Sequence, residues 1–465
     1  MNKRFIENTC FIFAIIFYFS CQTEKPYDRV VSKVGKEKLK FSEFLYSYTL
    51  SPHFRPNSTL KEARLQHLDY MQDRILMTIA AEKEHLATIP EIQNKIKYIQ
   101  EKEILKYLYN KEILSEIEVT NEEAWQEYKR SKIQVHLRHI FAPTKRKANE
   151  YYERLQTGET FEQIAREAFS NQQLAENGGD LGFVTISDLD PLLIDSVYNQ
   201  QLNKISKPLQ SSYGYHIVRI DDIKQNLLLT EADFQSKKDQ MVESVKMRRA
   251  QRESGKYLAR VLKGKSVTIK TEVLNELMGL SKNYITVKDQ NTELPFFTPK
   301  VTDNEIEKVI ESSGSLLDKT LVVFNNDSWT VEEFLLRLIY TPPLDRPTFD
   351  RQKVIAKRIV DMVRDELLLR DAYRKGYDQI KTVKESISMW RNELLADEFQ
   401  KRIQSVEYKE QDEEAWVRRR ALFQKLKEET PIKINQEVIF QDMSKEDLQK
   451  RQDPIHIVLR EQYKW

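Results

Sequence analysis

The segment from residue 135 to residue 223 constrains the fold of this chain more than any other, because it gathers turn-forming residues that are scarce elsewhere. Of the 11 glycines in the 465-residue sequence, five fall in the stretch from Gly158 to Gly214. Glycine supplies the positive φ angles that tight turns need. The rest of the chain is charged and follows helical spacing. We therefore expect a compact, turn-rich domain set inside a mostly helical protein.

The local pattern of this segment predicts a mixed domain of strands and helices. Runs of β-branched and apolar residues indicate strands, and apolar residues at helical spacing indicate helices. The predicted elements are a strand over 134–141, helices over 145–155 and 161–168, a tight turn at 177–179 and a closing strand over 215–221.

Three motifs in the segment are more specific. They are Val-His-Leu-Arg-His-Ile at 135–140, Gly-Gly-Asp-Leu-Gly at 178–182 and, about 30 residues later, Tyr-Gly-Tyr-His-Ile-Val at 213–218. In this order they resemble the parvulin (PpiC, or rotamase) family of peptidyl-prolyl cis–trans isomerases, in the form found in periplasmic foldases of the SurA and PrsA kind. The resemblance covers about 90 of the 465 residues. It implies a small antiparallel sheet wrapped by helices, with a shallow apolar pocket for a proline.

The resemblance also implies which residues carry the activity. Rotation about an X–Pro bond is opposed by amide resonance, with a barrier of roughly 20 kcal/mol, and needs no nucleophile. A catalyst need only hold the proline ring, desolvate the amide and favour its twisted state. The candidate catalytic residues are the paired central histidines His139 and His216, with Gln172, Ser211 and Tyr213. The candidate substrate-binding residues are Leu181, Leu189, Leu193 and Phe183.

Several positions depart from the family pattern and leave two functions open. Gln172 stands where many family members carry an acidic residue or cysteine, and Leu189 and Leu193 replace the usual methionine and phenylalanine. The domain is therefore expected to be either an active isomerase or a weakened domain kept for binding, as a holdase or a structural subunit of an envelope assembly.

Metal chemistry is not expected. An odd separation on a strand points His136 and His139 to opposite faces, which argues against a shared metal ion, and Asp180 is expected to be a turn residue. We predict no metal and no cofactor. The formal net charge of +2, with 31% charged residues, gives no indication of nucleic-acid binding.

The first 21 residues resemble a bacterial lipoprotein signal peptide. Lys3 and Arg4 precede an apolar run over 11–19, which is too short to span a bilayer, and Ser20-Cys21 follows. Cleavage before Cys21 would leave that cysteine to carry the lipid. We expect a periplasmic lipoprotein, anchored in the outer membrane rather than the inner one. Its expected partners are unfolded or nascent exported polypeptides with X–Pro bonds.

The remaining chain predicts an α+β protein in which helical chaperone modules flank one inserted parvulin domain. Glu-Glu-Ala-Trp occurs at 122–125 and again at 413–416, a shift of 291 residues, so the last third is expected to repeat the first. The predicted parts are an N-terminal helical module (22–130), the parvulin-like domain (131–224), a helix and strand that complete the first module (225–273), a junction (274–320) and a second helical module (321–465), which lacks the insert and is closed by its own final strand.

Overall fold

The computed structural model describes residues 29–50, 53, 55–225, 229–285 and 301–440. The chain is an α+β protein, as predicted. It divides into two compact units: within the described residues, unit 1 comprises 29–93 and 389–440, and unit 2 comprises 94–388. The predicted signal peptide, Cys21 and the proline-rich part of the junction at 295–299 lie outside the described residues.

The N-terminal part is a hairpin followed by helices. Its elements are β1 (Val30–Val34), β2 (Glu37–Lys40), α1 (Phe41–Leu50), α2 (Leu60–Lys83), a 3₁₀ turn (Leu86–Thr88), α3 (Pro90–Tyr109), a π-helical turn (Asn110–Leu114) and α4 (Asn121–Ser131). α4 begins at a capping box, in which the Thr120 hydroxyl accepts from the Glu123 backbone and the Glu123 carboxylate accepts from the Thr120 backbone. This reciprocal pair satisfies two donors that a helix start leaves free.

The glycine-rich segment forms a four-stranded antiparallel sheet with short helices. Its elements are β3 (Ile133–Ala142), α5 (Lys145–Gln156), α6 (Phe161–Ala168), α7 (Gln172–Glu176), β4 (Asp180–Val184), a 3₁₀ turn (Ile186–Asp188), α8 (Pro191–Tyr198), β5 (Leu209–Gln210) and β6 (Tyr215–Gln225). The strand order is β4-β3-β6-β5. Alternate residues of β3 belong to two separate cores: Ile140 packs with α5 and α6, whereas Val135 and Leu137 pack with α8. Both faces of the sheet are therefore covered.

The C-terminal part repeats the hairpin-and-helix pattern. Its elements are α9 (Glu231–Val261), β7 (Val267–Ile269), α10 (Thr271–Ser281), α11 (Asp303–Ser313), a 3₁₀ turn (Gly314–Leu316), β8 (Thr320–Phe324), β9 (Asp327–Thr330), α12 (Val331–Tyr340), a 3₁₀ turn (Pro343–Asp345), α13 (Gln352–Arg374), a 3₁₀ turn (Tyr377–Gln379), α14 (Lys381–Gln404), α15 (Val406–Gln411), α16 (Glu413–Glu429), β10 (Ile432–Ile434) and α17 (Gln436–Ile439). None of the helices among the described residues is both long and apolar enough to cross a membrane.

The two hairpins have the same register. Val34 pairs with Glu37 in the first, and Phe324 pairs with Asp327 in the second. Each turn carries a left-handed residue at the same place, Gly35 in one and Asn325 in the other. The internal repeat predicted from the sequence therefore has a matching pair of structures.

The prediction of which strand completes each module was wrong. β10, from the end of the chain, pairs with β1 and places Ile432 opposite Val34, in unit 1. β7 pairs instead with β8 and places Val267 opposite Phe324, in unit 2. The two closing strands have thus exchanged partners between the repeats. Both strands are three residues long and contain mainly β-branched residues, so the local sequence does not decide between the two arrangements.

Unit 2 also contains the packing that joins α4 to α9. Tyr128 and Phe234 are buried against each other, with ring centroids 5.6 Å apart, and the Tyr128 hydroxyl donates to Asp233 over 2.7 Å. The two helices border the glycine-rich segment on both sides in sequence. Their packing therefore fixes the point at which the chain enters and leaves that segment.

Candidate active site

The two predicted central histidines meet across neighbouring strands. Phe141 on β3 is the register partner of His216 on β6, and His139 lies two residues before Phe141. The Nδ1 atoms of His139 and His216 are 3.3 Å apart, and the two rings stack with centroids 5.6 Å apart. Ser211 extends this series of side-chain contacts, since its Oγ lies 2.9 Å from His216 Nε2. The sheet thus builds one line of hydrogen-bonding groups from Ser211 through His216 to His139.

Both histidines are held in the neutral form. Burial, and then the nearby His216, lower the pKa of His139 from 6.5 to about 4. Burial also lowers the pKa of His216, although Asp190 opposes this shift. A contact between two Nδ1 atoms needs one protonated and one free nitrogen, which two neutral tautomers supply. A further proton would place a charge in a buried site, so the pair resists protonation.

Aromatic rings pack against both histidines of the pair. Phe169 lies against His139 with ring centroids 5.0 Å apart, and Phe141 meets His216 edge to face at 5.4 Å. The Nε2 atom of His139 is buried and has no hydrogen-bond partner in the described structure. The site is therefore lined by aromatic rings on the His139 side. Within the described residues, no group of three or more His, Cys, Asp or Glu side chains is placed to hold a metal ion.

The glycine turn is held against β3 so closely that its second glycine admits no side chain. The His139 backbone N–H donates to the Gly179 carbonyl over 2.9 Å. A Cβ on Gly179 would lie 1.9 Å from the His139 carbonyl oxygen, and the residue has φ +71. Asp180, the first residue of β4, follows this turn, and its carboxylate accepts from the Gly182 backbone over 2.7 Å. The backbone of the glycine turn therefore packs directly against the backbone of β3 at His139.

Arg138 organises this turn and was missed by sequence analysis. Its guanidinium donates to the Asn177 carbonyl over 2.7 Å and contacts the carboxylates of Glu162, Asp180 and Asp221 at 3.0 to 3.4 Å. It thereby ties β3 to α6, to the glycine turn and to β6. The signal that could have revealed it is a charged residue in the middle of a predicted strand, between Leu137 and His139.

Comparison with known proteins agrees with this geometry. The rotamase family profile, described as the PPIC-type PPIASE domain, matches residues 139–222. Residues 139–222 therefore belong to the PPIC-type rotamase family. The match begins at His139 and includes His216, the glycine turn and α8, which are the parts that the sheet brings together.

Relatives of the chain carry foldase names. The foldase protein PrsA of Halalkalibacterium halodurans is 30% identical over 138 residues, which cover 29% of this chain and 41% of that protein. The foldase protein PrsA of Caldanaerobacter subterraneus is 27% identical over 256 residues, covering 48% of this chain and 84% of the relative. The chain thus spans about two fifths of the length of the first of these relatives. The crystal structure of the peptidylprolyl isomerase PrsA from Bacillus anthracis is 21% identical, covers 41% of this chain and 96% of its own, and has a TM-score of 0.24.

The predicted pocket leucines of the rotamase domain differ in their exposure. Leu193 on α8 is buried at 5% exposure and packs with Val135 and Leu137 of β3, and Leu189 lies partly buried against the same cluster. Leu181, the second residue of β4, is 40% exposed. Leu181 is thus accessible to solvent, whereas Leu193 is part of the buried cluster between α8 and β3.

Three other predicted site residues occupy different surroundings. Gln172 on α7 is exposed, and its side chain donates to Glu176 over 2.8 Å rather than to either histidine. Phe183 packs against His136 and beneath Lys224, whose Nζ lies 3.7 Å from the ring centroid, so the structure does not bring it to the histidine pair. The side chain of Tyr213 is 81% exposed, while its backbone N–H donates to Ser211 Oγ over 3.1 Å.

The loop that carries Ser211 is fixed by Asp190, a second residue that sequence analysis missed. One carboxylate oxygen of Asp190 accepts from the Leu192 backbone over 2.9 Å and caps α8. The other accepts from the Ser212 backbone over 3.0 Å. Asp190 followed by Pro191 is a recognisable helix start. The bond to Ser212, 22 residues away, has no local signal.

Proposed function

We propose that the chain is a peptidyl-prolyl cis–trans isomerase and foldase that acts on X–Pro bonds of unfolded exported polypeptides. The observation that carries this proposal is the hydrogen-bonded line Ser211–His216–His139 on the floor of the rotamase domain. We place Leu181, Leu189 and Leu193 in the proline pocket, and Phe183 outside it.

The geometry suits rotation of an amide rather than its cleavage. The planar amide is stabilised by resonance that separates charge, and this form is more polar than the twisted one. An amide held against Phe141 and Phe169, beside the neutral histidines, would lose water, and this disfavours the planar state relative to the twisted one. Because the pKa values of both histidines are lowered, the rings are uncharged at neutral pH and do not stabilise the planar form.

A second function, holding of unfolded chains without catalysis, is favoured by one observation. Gln172 stands where the family often has an acidic residue or cysteine, and its amide is bonded to Glu176 at the surface. The histidine pair therefore receives no charged or polar side chain from α7. In this alternative the rotamase domain binds proline-containing segments and releases them unchanged.

A refolding assay separates the two functions. The test protein is one whose slow refolding phase is limited by proline isomerisation, which takes tens to hundreds of seconds. An isomerase accelerates this phase when present in less than stoichiometric amount. A holdase prevents aggregation only in stoichiometric amount and leaves the slow phase unchanged, and that result would exclude the isomerase function.

Two leucines provide a matched pair of variants for this assay. We expect Leu181→Ala to reduce the acceleration about tenfold, because it removes exposed apolar surface from the pocket. Leu202→Ala is the control: Leu202 is 50% exposed in the same domain, but the backbone N–H of its neighbour Asn203 donates to the carbonyl of Ile220, which lies four residues along β6 from His216. Equal loss in both variants would contradict the assignment of the pocket.

We further propose that the helical units hold client chains outside the cytoplasm. The support comes from relatives named as foldases and from the N-terminal sequence, which resembles a lipoprotein signal. Most aromatic rings in the described residues lie in cores or are half-buried, and only Tyr213 and Tyr373 are exposed. Clients would therefore be held mainly by aliphatic and polar surface and by the rotamase pocket.

We propose that Cys21 carries a lipid that anchors the protein in the cell envelope, in the outer membrane rather than the inner one. Mass spectrometry of the N-terminal peptide after expression in a bacterial host tests this. The expected result is a peptide that begins at Cys21 with an attached diacylglycerol, and its loss in a Cys21→Ser variant. An unmodified Cys21 in a membrane-free protein would contradict the anchor.

A further inference from the structure

The long helix α9 contacts the rotamase domain behind its active site. The Gln251 side chain donates to Ser212 Oγ over 2.7 Å. Ser212 follows Ser211, whose hydroxyl lies beside His216, and the Ser212 backbone is already held by Asp190. The turn that positions Ser211 is therefore held from α8 on one side and from α9 on the other.

A second contact joins α8 to the same helix. The Asp195 carboxylate on α8 lies 2.9 Å from Arg130 of α4 and 3.0 Å from Arg252 of α9. Arg248 Nε of α9 lies 3.5 Å from it. Three guanidinium groups thus converge on one carboxylate, and α8 is the helix that carries Leu193 of the proposed pocket.

The arginines that hold Asp195 are themselves fixed. Arg248 makes two bonds to Glu127 of α4, at 2.7 and 2.8 Å, and the two side chains are 4% and 1% exposed. A buried, bidentate pair of this kind has defined geometry, and removal of one partner leaves an uncompensated charge. The buried Arg248–Glu127 pair of α9 and α4 therefore lies directly beside the carboxylate that α8 presents to these helices.

From these contacts we propose that α9 is a working part of the isomerase, with Gln251 and Asp195 as positioning residues. Gln251 holds the turn that orients Ser211 against His216. Asp195 holds α8, and with it Asp190 and the base of the pocket, at a fixed distance from the β3–β6 sheet. The rotamase site is complete only when the domain is docked on α4 and α9, so displacement of the domain from these helices lowers its activity. This inference rests on the proposed isomerase function.

Two variants test the proposal in the chain that lacks residues 1–21. Asp195→Asn keeps the shape of the side chain but removes the charge that holds three arginines. Gln251→Ala removes the bond to Ser212. The matched controls are Glu253→Gln and Gln235→Ala on the same helix, because Glu253 pairs with Lys256 and Gln235 bonds to Glu231, both within α9. The measurements are the isomerisation rate of an X–Pro peptide by NMR exchange and the NMR signals of the site.

We expect Asp195→Asn to reduce kcat/KM about tenfold and Gln251→Ala about threefold, since one exposed hydrogen bond contributes less than a cluster of charges. In both variants the backbone signals of residues 211–214 and the imidazole nitrogen signals of His216 should shift, because the bond between Ser211 and His216 changes. A role in stability alone would lower the melting temperature and leave these signals in place. The two controls should leave rate and signals unchanged.

Two results distinguish failure of this proposal from failure of the isomerase function. Unchanged rates and unchanged signals in Asp195→Asn and Gln251→Ala would overturn the positioning role. If the unaltered protein does not accelerate exchange, the isomerase function fails, and the signals of residues 211–214 and His216 still decide whether α9 positions the turn.

Discussion

At the scale of single residues, buried histidines make stability depend on pH. Burial is the main cause that lowers the pKa of both His67 and His139 from 6.5 to about 4. His67 is fully buried, with Nδ1 accepting from the His53 backbone over 3.1 Å and Nε2 lying 3.1 Å from Ser47 Oγ. Each ring is thus neutral in the folded protein and titrates normally in the unfolded chain.

The direction of the pH effect follows from these values. Because the folded pKa is lower than the unfolded pKa, the unfolded state binds more protons between pH 6.5 and about 4. The stabilisation is present in full above pH 6.5 and is lost as the pH falls toward 4. The expected loss is about 1.4 kcal/mol per pH unit for each group.

Urea unfolding over a series of pH values checks this expectation. A His67→Gln variant should show a weaker pH dependence than the unaltered protein. As a control, the exposed His85 has a left-handed backbone, which asparagine also tolerates, so His85→Asn should leave the pH dependence unchanged. Equal slopes in all three proteins would contradict a role for His67.

A glycine substitution tests the close approach between the backbones of Gly179 and His139. Gly179→Ala would place a methyl group 1.9 Å from the His139 carbonyl oxygen. We expect a loss of about 2–4 kcal/mol in the free energy of unfolding of the rotamase domain and a displaced His139 signal. Gly255→Ala in the interior of α9 is the control, since its Cβ would meet no atom within 4 Å; it should stabilise by about 0.5–1 kcal/mol. A fully stable Gly179→Ala protein would refute the close approach.

At the scale of secondary-structure elements, the exchange of closing strands is directly testable. The sequence contains no cysteine after Cys21, so introduced cysteines in a chain without residues 1–21 can be paired without competition. Lys33 faces Lys433, and Thr268 faces Val323. Directly opposed residues of antiparallel strands lie within the distance that a disulfide spans.

Three double-cysteine proteins, each lacking residues 1–21, test which closing strand pairs with β1 and which pairs with β8. Lys33→Cys with Lys433→Cys should form a disulfide on oxidation, as should Thr268→Cys with Val323→Cys. Lys33→Cys with Thr268→Cys should remain reduced. Mass spectrometry after digestion identifies the linked peptides, and a disulfide between positions 33 and 268 would show that the first repeat closes on its own strand.

Elements that depend on local sequence could be predicted, whereas contacts between distant segments could not. Local signals predicted the strands that carry His139 and His216 and the turn at 177–179, because each depends on neighbouring residues. The partners of β7 and β10 depend on contacts more than 50 residues apart in sequence, and Val-Thr-Ile and Ile-Lys-Ile are equivalent as edge strands. The bonds of Asp190 and Gln251 to the 211–214 turn are long-range in the same way, so the supports of the site could not be predicted.

At the scale of the whole molecule, unit 1 is built from both ends of the described chain. Its core contains Val31, Phe44 and Leu68 together with Val438 and Ile439. Arg74 on α2, with a side chain only 7% exposed, contacts Asp397 and Glu393 of α14, which lie 2.5 and 2.8 Å away. The N-terminal segment is therefore incomplete without the C-terminal one.

Removal of residues 389–465 should consequently unfold unit 1 and spare the rotamase domain. Hydrogen–deuterium exchange of the shortened chain should show loss of protection over β1, β2, α1 and α2. Residues 133–225 should keep their protection, because the described contacts of that domain lie in unit 2. Retained protection over β1 would contradict the exchanged arrangement.

The central claim is that the rotamase domain catalyses rotation about X–Pro bonds, and NMR exchange on an X–Pro peptide tests it most directly. The chain without residues 1–21 is added in catalytic amount at neutral pH, beside a His216→Ala variant whose fold is checked by its spectrum. The account predicts cis–trans exchange far above the uncatalysed rate for the unaltered protein and a large loss for the variant. Exchange at the uncatalysed rate with a folded domain would contradict the claim and leave the chain as a binding protein.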